Sequence, residues 1–248
     1  DWILNDDHSL RLEAGRTTTD NRRTEQSGGP SDMDNERVNY GLTHYWDWGN
    51  NSTETYVINE KVEIENGTNE SKYKSTIVNT KTLIPLEAHM ISVGAEYRTE
   101  ETDHDASRFP GSKALKLTRW QTALFAEDEY NITDNFALTA GVRLDKNEHY
   151  GNHVTPRIYG VYHWNDNLVL KGGVSGGYKT PTLKQSDDGI VEQAGRGRSW
   201  DMGNPNLQPE SSTNYELGFA WDTPDNLNFG LMAYHTRFKD KIDKTYVC

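Results

Sequence analysis

The sequence predicts an all-β fold: a partial transmembrane up-and-down antiparallel β-barrel of about eleven strands. Three observations carry that reading. Apolar and polar residues alternate with period two through segment after segment, as in strands with one apolar and one polar face. Short and long connections follow one another in turn, as though the short ones shared one end. And 7 Trp, 13 Tyr and 6 Phe occur in a chain of 248 residues that is only 33% hydrophobic, many of them beside the short connections. No run approaches the roughly 18 consecutive apolar residues of a membrane helix. That excludes a helical membrane protein but not a barrel, whose strands alternate lipid-facing and lumen-facing side chains.

His8 to Thr18 opens the series, with Leu10, Leu12 and Ala14 on one face and Arg11, Glu13 and Gly15 on the other. After a polar stretch with Gly28, Gly29 and Pro30, a strand runs from about Arg37 to Asp47. The turn DWGNN that follows has the Gly and Asn chemistry of a hairpin. From Thr53 to Glu65, Tyr56 and Ile58 oppose Glu54 and Asn59, and a switch of face near Lys61 is expected to bring Val62 and Ile64 into phase with Ile58. A polar tip, NGTNES, leads to Lys72 to Ile84. The sequons at Asn51, Asn66, Asn69 and Asn131 read as turn chemistry rather than glycosylation sites.

Past a compact turn at Pro85 and Glu87, Ile91, Val93, Ala95 and Tyr97 oppose Ser92, Gly94, Glu96 and Arg98. A polar loop is expected from about Glu100 to Lys113; its Asp103, His104 and Asp105 read as solvated rather than metal-binding, because no second cluster is in view. Leu115 to Tyr130 is a long strand whose register the pattern leaves open. Beyond the turn NITDN, Phe136, Leu138, Ala140, Val142 and Leu144 alternate with more polar neighbours up to Asp145. Thr155 to Trp164 returns, Asn165 to Asn167 turns, and Leu168, Leu170 and Val174 rise opposite Lys171, Gly173 and Ser175. After the longest loop, Tyr215, Leu217, Phe219 and Trp221 define one strand, and Leu227, Phe229, Leu231 and Ala233 begin the last.

Tight connections near Asn50, Pro85, Asp134, Asp166 and Pro224 alternate with mostly longer, more polar ones near Gly28, Asn66, Asp105, Gly151 and Gly195. A soluble sandwich has no reason to sort its connections by end, whereas outer-membrane barrels have short turns inside and longer loops outside. Charges on the polar faces, such as Glu96, Arg98, Arg143, Asp145 and Lys171, do not suit a dry core. Trp46, Trp48, Tyr130, Phe136, Trp164 and Trp221 stand beside short turns, where an interfacial girdle belongs. The net charge of −12 argues against a nucleic-acid partner. The one cysteine, Cys248, permits neither an internal disulfide nor a Cys-based metal site. Its position at the end, and a start at Asp-Trp without a Met or signal peptide, read as cut points.

The stretches YKTPTLKQ (178–185) and GNPNLQPESSTNYELG (203–218), with LFAEDEYNITDNFALTAGVRLD (124–145) and HTRFKDKI (235–242), resemble the barrel of TonB-dependent outer-membrane receptors. The similarity is to the branch of ferric catecholate siderophore and colicin I receptors. It covers most of the chain and is strongest from Leu124 to Ile242. What it implies is a single domain over residues 1–248 in the bacterial outer membrane, with the N-terminal plug and the remaining strands missing from this piece. Plugged transporters of this kind have about 22 strands. About eleven make half a wall, and an odd count could close only through a parallel seam, which even-stranded bacterial barrels avoid.

The resemblance implies energised import of a ferric siderophore, without a resident cofactor or catalytic group. The expected partners are that ligand, outer-membrane lipid and the TonB complex acting through the missing N-terminal region, with bacteriocin or phage as further candidates. Anionic aromatic ligands call for cations beside aromatic faces. The candidates are Arg196, Arg198 and Trp200 in the long loop, then Arg108, Phe109 and Lys113, then Arg22 and Arg23. Within the long loop, Asp187 to Met202 is the segment expected to set specificity. Two rivals are a soluble β-sandwich adhesin or sugar-binding module, and an outer-membrane barrel enzyme, for which His104, His149, His153 and His235 show no triad spacing.

Overall fold

Period-two alternation yields strands of unusual length. The computed structural model describes residues 1–23, 31–66, 69–106, 111–194, 199–223 and 227–245. In chain order the strands are β1 (Trp2–Ile3), β2 (His8–Arg23), β3 (Ser31–Trp48), β4 (Asn51–Asn66), β5 (Asn69–Leu86), β6 (His89–His104) and β7 (Leu115–Thr133). They continue as β8 (Phe136–Asn147), β9 (Gly151–Asn165), β10 (Leu168–Lys179), β11 (Val191–Ala194), β12 (Ser199–Met202), β13 (Glu210–Asp222) and β14 (Asn228–Lys239). One 12-stranded sheet takes β1 to β10, β13 and β14 in sequence order, each antiparallel to the next. β1 and β14 are not paired, so the sheet is an open wall. Setting aside the two-residue β1, this is the expected run of about eleven long strands. The unexpected element is the hairpin β11–β12, which forms its own two-stranded sheet inside the longest connection.

The wall is one sheet thick, and burial identifies its faces. Even-numbered positions on β2 carry Leu10 and Leu12, which pair with His44 and Leu42, while Val57, Val78, Ala95, Leu124, Leu144 and Val154 follow from strand to strand on the same face. This apolar face is open: Leu12 is 60% exposed, Leu124 61% and Leu217 70%. On the opposite face Arg119, Asp145 and Asn147 are only 2–6% exposed. A soluble sandwich hides its apolar faces between two sheets. Here polar side chains are covered and apolar ones face outward, as in a barrel wall whose outside is lipid.

Strands β2 to β10, β13 and β14 run 12–19 residues, against about 9–11 needed to cross a bilayer. On β7, Tyr130 and Trp120 mark the height of the apolar band: ten residues at about 3.3 Å rise and about 40° tilt give roughly 25 Å. The excess therefore projects beyond the band at the loop end. This corrects two expectations. The loop expected from Glu100 begins only after His104, because β6 and β7 stay paired up to the His104–Leu115 pair. And two loop-end connections, 67–68 and Glu148–Tyr150, are as short as the turns opposite, because the strands themselves carry the chain outward.

Turn-end connections are tight at Gly49–Asn50, Glu87–Ala88, Asp134–Asn135 and Asp166–Asn167, and Gly49 takes a φ of +64°, which favours glycine. Rings gather there: His8 stacks on Trp46 at 5.7 Å, Trp46 lies 5.6 Å from Trp48, and His89 stacks on Tyr130 at 4.2 Å. The face switch expected near Lys61 does not occur. β4 pairs with both neighbours without a slip, so Glu54, Tyr56, Ile58, Val62 and Ile64 share the polar face and Val57 takes the outer one. Of these, Val62 is buried while Ile58 stays 40% exposed; farther along the same wall, part of the face is covered by chain.

Candidate functional site: the inner wall at the loop end

The covering chain is the start of the β10–β13 connection. Leaving β10 at Lys179, it turns inward, and Pro181, Leu183, Ile190 and Val191 are buried against the wall. These few apolar residues in a polar stretch fold the segment down rather than leaving it solvated. Thr182 and Gln185 hold its first turn reciprocally: the Thr182 backbone N–H donates to Gln185 Oε1 at 2.9 Å, and the Gln185 N–H to Thr182 Oγ1 at 3.2 Å. Gly203 sits so close to the carbonyls of Lys184 and Asp187 that a Cβ would meet each at 2.3 Å, so the return of the chain needs a glycine there.

Arg119 anchors this strap. It donates from Nε and Nη2 to Glu100 Oε2 at 3.2 and 2.6 Å, and from Nη1 to the Pro181 carbonyl at 2.7 Å. Tyr73 Oη completes the chain by donating to Glu100 Oε1 at 3.1 Å, and burial, then the neighbouring Glu100 charge, push its phenol above the usual range. Next to it runs a second network on the same face. Arg143 bridges Asp145 (3.1 Å) and Glu96 (3.1 Å), Gln121 donates to Asp145 at 3.0 Å, and Asn147 donates to Gln121 at 3.1 Å. The Asn147 carbonyl oxygen also accepts the backbone N–H groups of His149 and Tyr150, which sets the β8–β9 turn. Tyr178 stacks on His153 at 4.0 Å, with its hydroxyl buried and without a partner among the described residues.

A second tie lies at the end of β6. His104, expected in a solvated loop, is 8% exposed on the inner wall. Thr102 Oγ1 donates to the Lys72 carbonyl at 3.3 Å. It therefore accepts from His104 Nε2–H at 2.8 Å, leaving Nδ1 to accept from Ser71 Oγ at 3.0 Å. Glu192 of β11 stands 3.5 Å from Nδ1 and is itself paired with Lys184. The ring is thus satisfied when neutral. Burial, then the Lys184 charge, lower its pKa against the opposing pull of Glu192 and Asp103.

The sign of the resulting pH dependence follows. A base with a folded pKa below its ordinary value of about 6.5 leaves stability untouched above that value. Stability then falls as the pH drops below about 6.5, and the loss levels off below the group's own depressed pKa, because the unfolded chain binds the proton first. In an intact protein carrying this wall, the thermal midpoint should fall between pH 7.5 and 5.5, and His104→Gln should remove part of that fall. Identical slopes for both proteins would show that His104 contributes nothing.

The candidates named from sequence fare unequally. Arg196, Arg198, Arg108 and Phe109 lie outside the described residues. Trp200 lies on β12 opposite Gln193 and is 37% exposed. Lys113 is exposed just before β7. Arg22 is exposed near the loop end of β2, on the side of the apolar face; Arg23 closes that strand, with its side chain outside what the structure describes. In the sheet order β3 to β9 stand between β2, which carries Arg22 and Arg23, and β10, from which the strap leaves. The segment 187–202 holds the β11–β12 hairpin, and Lys244 from beyond β14 pairs with its Asp201. Sequence reasoning passed over Arg119, Glu100 and Tyr73, whose sole signal was polar residues two apart on long strands. Among the described residues no three His, Cys, Asp or Glu side chains converge as metal ligands.

Comparison with known proteins agrees with this architecture. Residues 1–248 match the family model described as TonB dependent receptor-like, beta-barrel. An iron-regulated outer membrane virulence protein of Vibrio cholerae is 36% identical over 258 residues, covering 98% of this chain and 38% of the relative. A ferric enterobactin receptor of Pseudomonas aeruginosa is 24% identical, over 98% of this chain and 39% of its own length. The crystal structure of the siderophore receptor PirA from Pseudomonas aeruginosa superposes with a TM-score of 0.85 at 24% identity, covering 97% of this chain and 45% of that one. The chain therefore spans less than half the length of these proteins.

Proposed function

The chain belongs to the TonB-dependent receptor β-barrel family of the bacterial outer membrane, and we propose that it forms part of the wall and outer loops of a receptor that imports a ferric siderophore, a catecholate in the first instance. One observation carries the proposal: at the loop end a long connection folds onto a charged, hydrogen-bonded inner wall, and that wall is apolar on its other side. Such an arrangement presents a polar path to a solute and an oily surface to lipid. The names of the relatives, among them ferric enterobactin receptors, support the ligand class.

Nothing in this reading breaks a bond, so it asks no nucleophile or general base of the chain. The chain's own part is to hold the outer loops and to line the path; energy from the TonB complex reaches it through parts of the receptor that lie outside these residues. The iron complex is cargo. Its negative charge and catechol rings suit Arg196 and Arg198 beside Trp200. Ferric catecholate binding to the intact receptor should weaken at least about tenfold in an Arg196→Ala/Arg198→Ala variant, as expected for losing charge-assisted hydrogen bonds. Unchanged affinity would remove that pair from the site. Cells making the intact receptor as their one siderophore route should accumulate radiolabelled iron from a ferric catecholate; failure with every ferric siderophore class tried would overturn the function itself.

A further inference from the structure

Two ties of different chemistry hold the strap on the inner wall. At Pro181 the donor is Arg119, whose guanidinium keeps its charge at any pH a protein survives. Farther along, the tie is His104, a side chain whose charge changes within the physiological range. Gly189 packs so closely against Leu115 Cδ1 that a Cβ would not fit, and Leu115 is the residue paired with His104 across β6 and β7. Ile190 and Val191 follow, both buried, and then Glu192 reaches the ring. The strap therefore closes directly over the imidazole.

The surroundings suit a neutral ring. Thr102 Oγ1 accepts from Nε2–H and Ser71 Oγ donates to Nδ1, so both nitrogens are satisfied without charge. A proton on Nδ1 turns Ser71 from donor to acceptor and costs its hydroxyl proton the ring as partner. The new charge also meets a carboxylate that is already engaged: Glu192 Oε1 is 3.5 Å from Nδ1, and its Oε2 pairs with Lys184. The other charged groups around the ring are committed or turned away. Asp103 precedes it on β6 but points to the outer face, as does Lys116 of β7, which pairs with Glu101. Glu100, lower on the inner wall, is taken by Arg119 and by Tyr73 of β5. Asp105 accepts the Glu70 backbone N–H, Asp187 of the strap accepts that of Gly189, and Asp188 is exposed. One carboxylate thus has to serve two cations once the ring is charged, and burial weighs further against the charge.

We propose that the strap over residues 183–192 is an acid-released latch: uptake of one proton by His104 lifts β11 and the chain before it from the inner wall and opens the loop-end wall to solvent. Lifted, the ring carries its charge in water, and Glu192 and Lys184 leave together as a neutral pair. Held down, the ring must carry that charge in a closed space beside a second cation. A base that is weaker under the strap than away from it takes its proton preferentially when the strap is off, so opening grows as the pH falls through the ordinary histidine value of about 6.5. The Arg119–Pro181 tie stays in place and serves as the hinge. The latch goes beyond the transport reading, because it concerns access to the wall and not the identity of the cargo.

Hydrogen exchange of the intact receptor in mild detergent, read by mass spectrometry at pH 7.5 and 5.5 and corrected for the intrinsic pH dependence of amide exchange, tests this. The amides of residues 183–192 should lose about three- to tenfold of their protection at pH 5.5, tenfold being what one group with a free pKa of about 6.5 can supply over that interval. Those of β8 should keep theirs. His104→Gln puts an uncharged amide in place of the ring, and the loss should vanish. Lys184→Gln leaves Glu192 free for the charged ring and should shrink the loss by at least about half; this variant lies on the strap itself and does not depend on His104→Gln folding. No extra loss in wild type overturns the latch, and so does a loss of wild-type size in either variant. No siderophore enters the experiment, so its failure is distinct from failure of the transport reading.

Discussion

Replacing Arg119 with alanine in the intact receptor should cost about 3–5 kcal/mol of stability, the range for removing one partner of a buried ion pair. The side chain is 5% exposed and its partner Glu100 18%, so little solvent is at hand to compensate the carboxylate left behind. The Pro181 carbonyl loses its donor as well, and Tyr73 keeps a hydrogen bond to a charge that no longer has a counter-ion. The loss should not be uniform over the molecule. Arg119 is where β7 holds the strap, so protease sites between 182 and 190 should become cleavable well below the unfolding temperature. Arg119→Lys keeps the charge but not the fork that reaches Glu100 and Pro181 together, and should recover part of the global stability while leaving the strap exposed. If the strap resists protease in Arg119→Ala as it does in wild type, the anchoring role is wrong.

An arginine placed at Leu124 should destabilise the receptor in a bilayer by about 2–4 kcal/mol, the range for a cation near the lipid midplane of a barrel. Leu124 lies between the Tyr130 and Trp120 heights on the outer face and is 61% exposed, so in water the same substitution on a surface strand would be nearly silent. The informative control is Thr139→Arg. Thr139 is paired with Glu129 on the inner face, where an arginine gains an acidic neighbour, and its effect should stay below about 1 kcal/mol. Comparable losses at both positions, measured by reversible unfolding in lipid vesicles, would contradict the assignment of faces that the wall rests on.

Much of this wall could be read from its residues because period-two patterning is local. Leu10, Leu12 and Ala14, or Tyr215, Leu217 and Phe219, state a face without reference to any other strand, since backbone geometry alone sends alternate side chains to opposite sides. The pattern is weaker where the inner face is not uniformly polar. Tyr56, Ile58, Val62 and Ile64 are all even-numbered and share one face without the change expected near Lys61, and the unbroken pairing of β4 with both neighbours keeps them together on the inside. The register of β7 was open for the same reason: Phe125 on its inner face and Leu124 on its outer are both apolar, and the Ala123–Asp145 and Leu124–Leu144 pairs with β8 decide between them.

Strand ends were the least legible. Glu100 to His104 looked like loop because the residues are polar. In the structure polar residues continue the strand beyond the bilayer, with His104 and Thr102 buried on the inner wall. The long connection was expected from its length and its arginines to be a binding segment; its inward fold could not be read. That fold depends on Leu183, Ile190 and Val191 meeting a wall built more than sixty residues earlier in the chain, and on Arg119 reaching Pro181.

By itself the sequence determined the class of fold, the number and direction of the long strands, the apolar outer band and the family, because each follows from local alternation, turn chemistry or contiguous motifs. Only the tertiary structure decided which face of β4 and β7 is inside, where the strands end, which cations are committed to partners, and that the longest loop is latched to the inner wall. Those depend on cross-strand register and on contacts between distant segments, and a one-residue change of register sends every side chain to the other face.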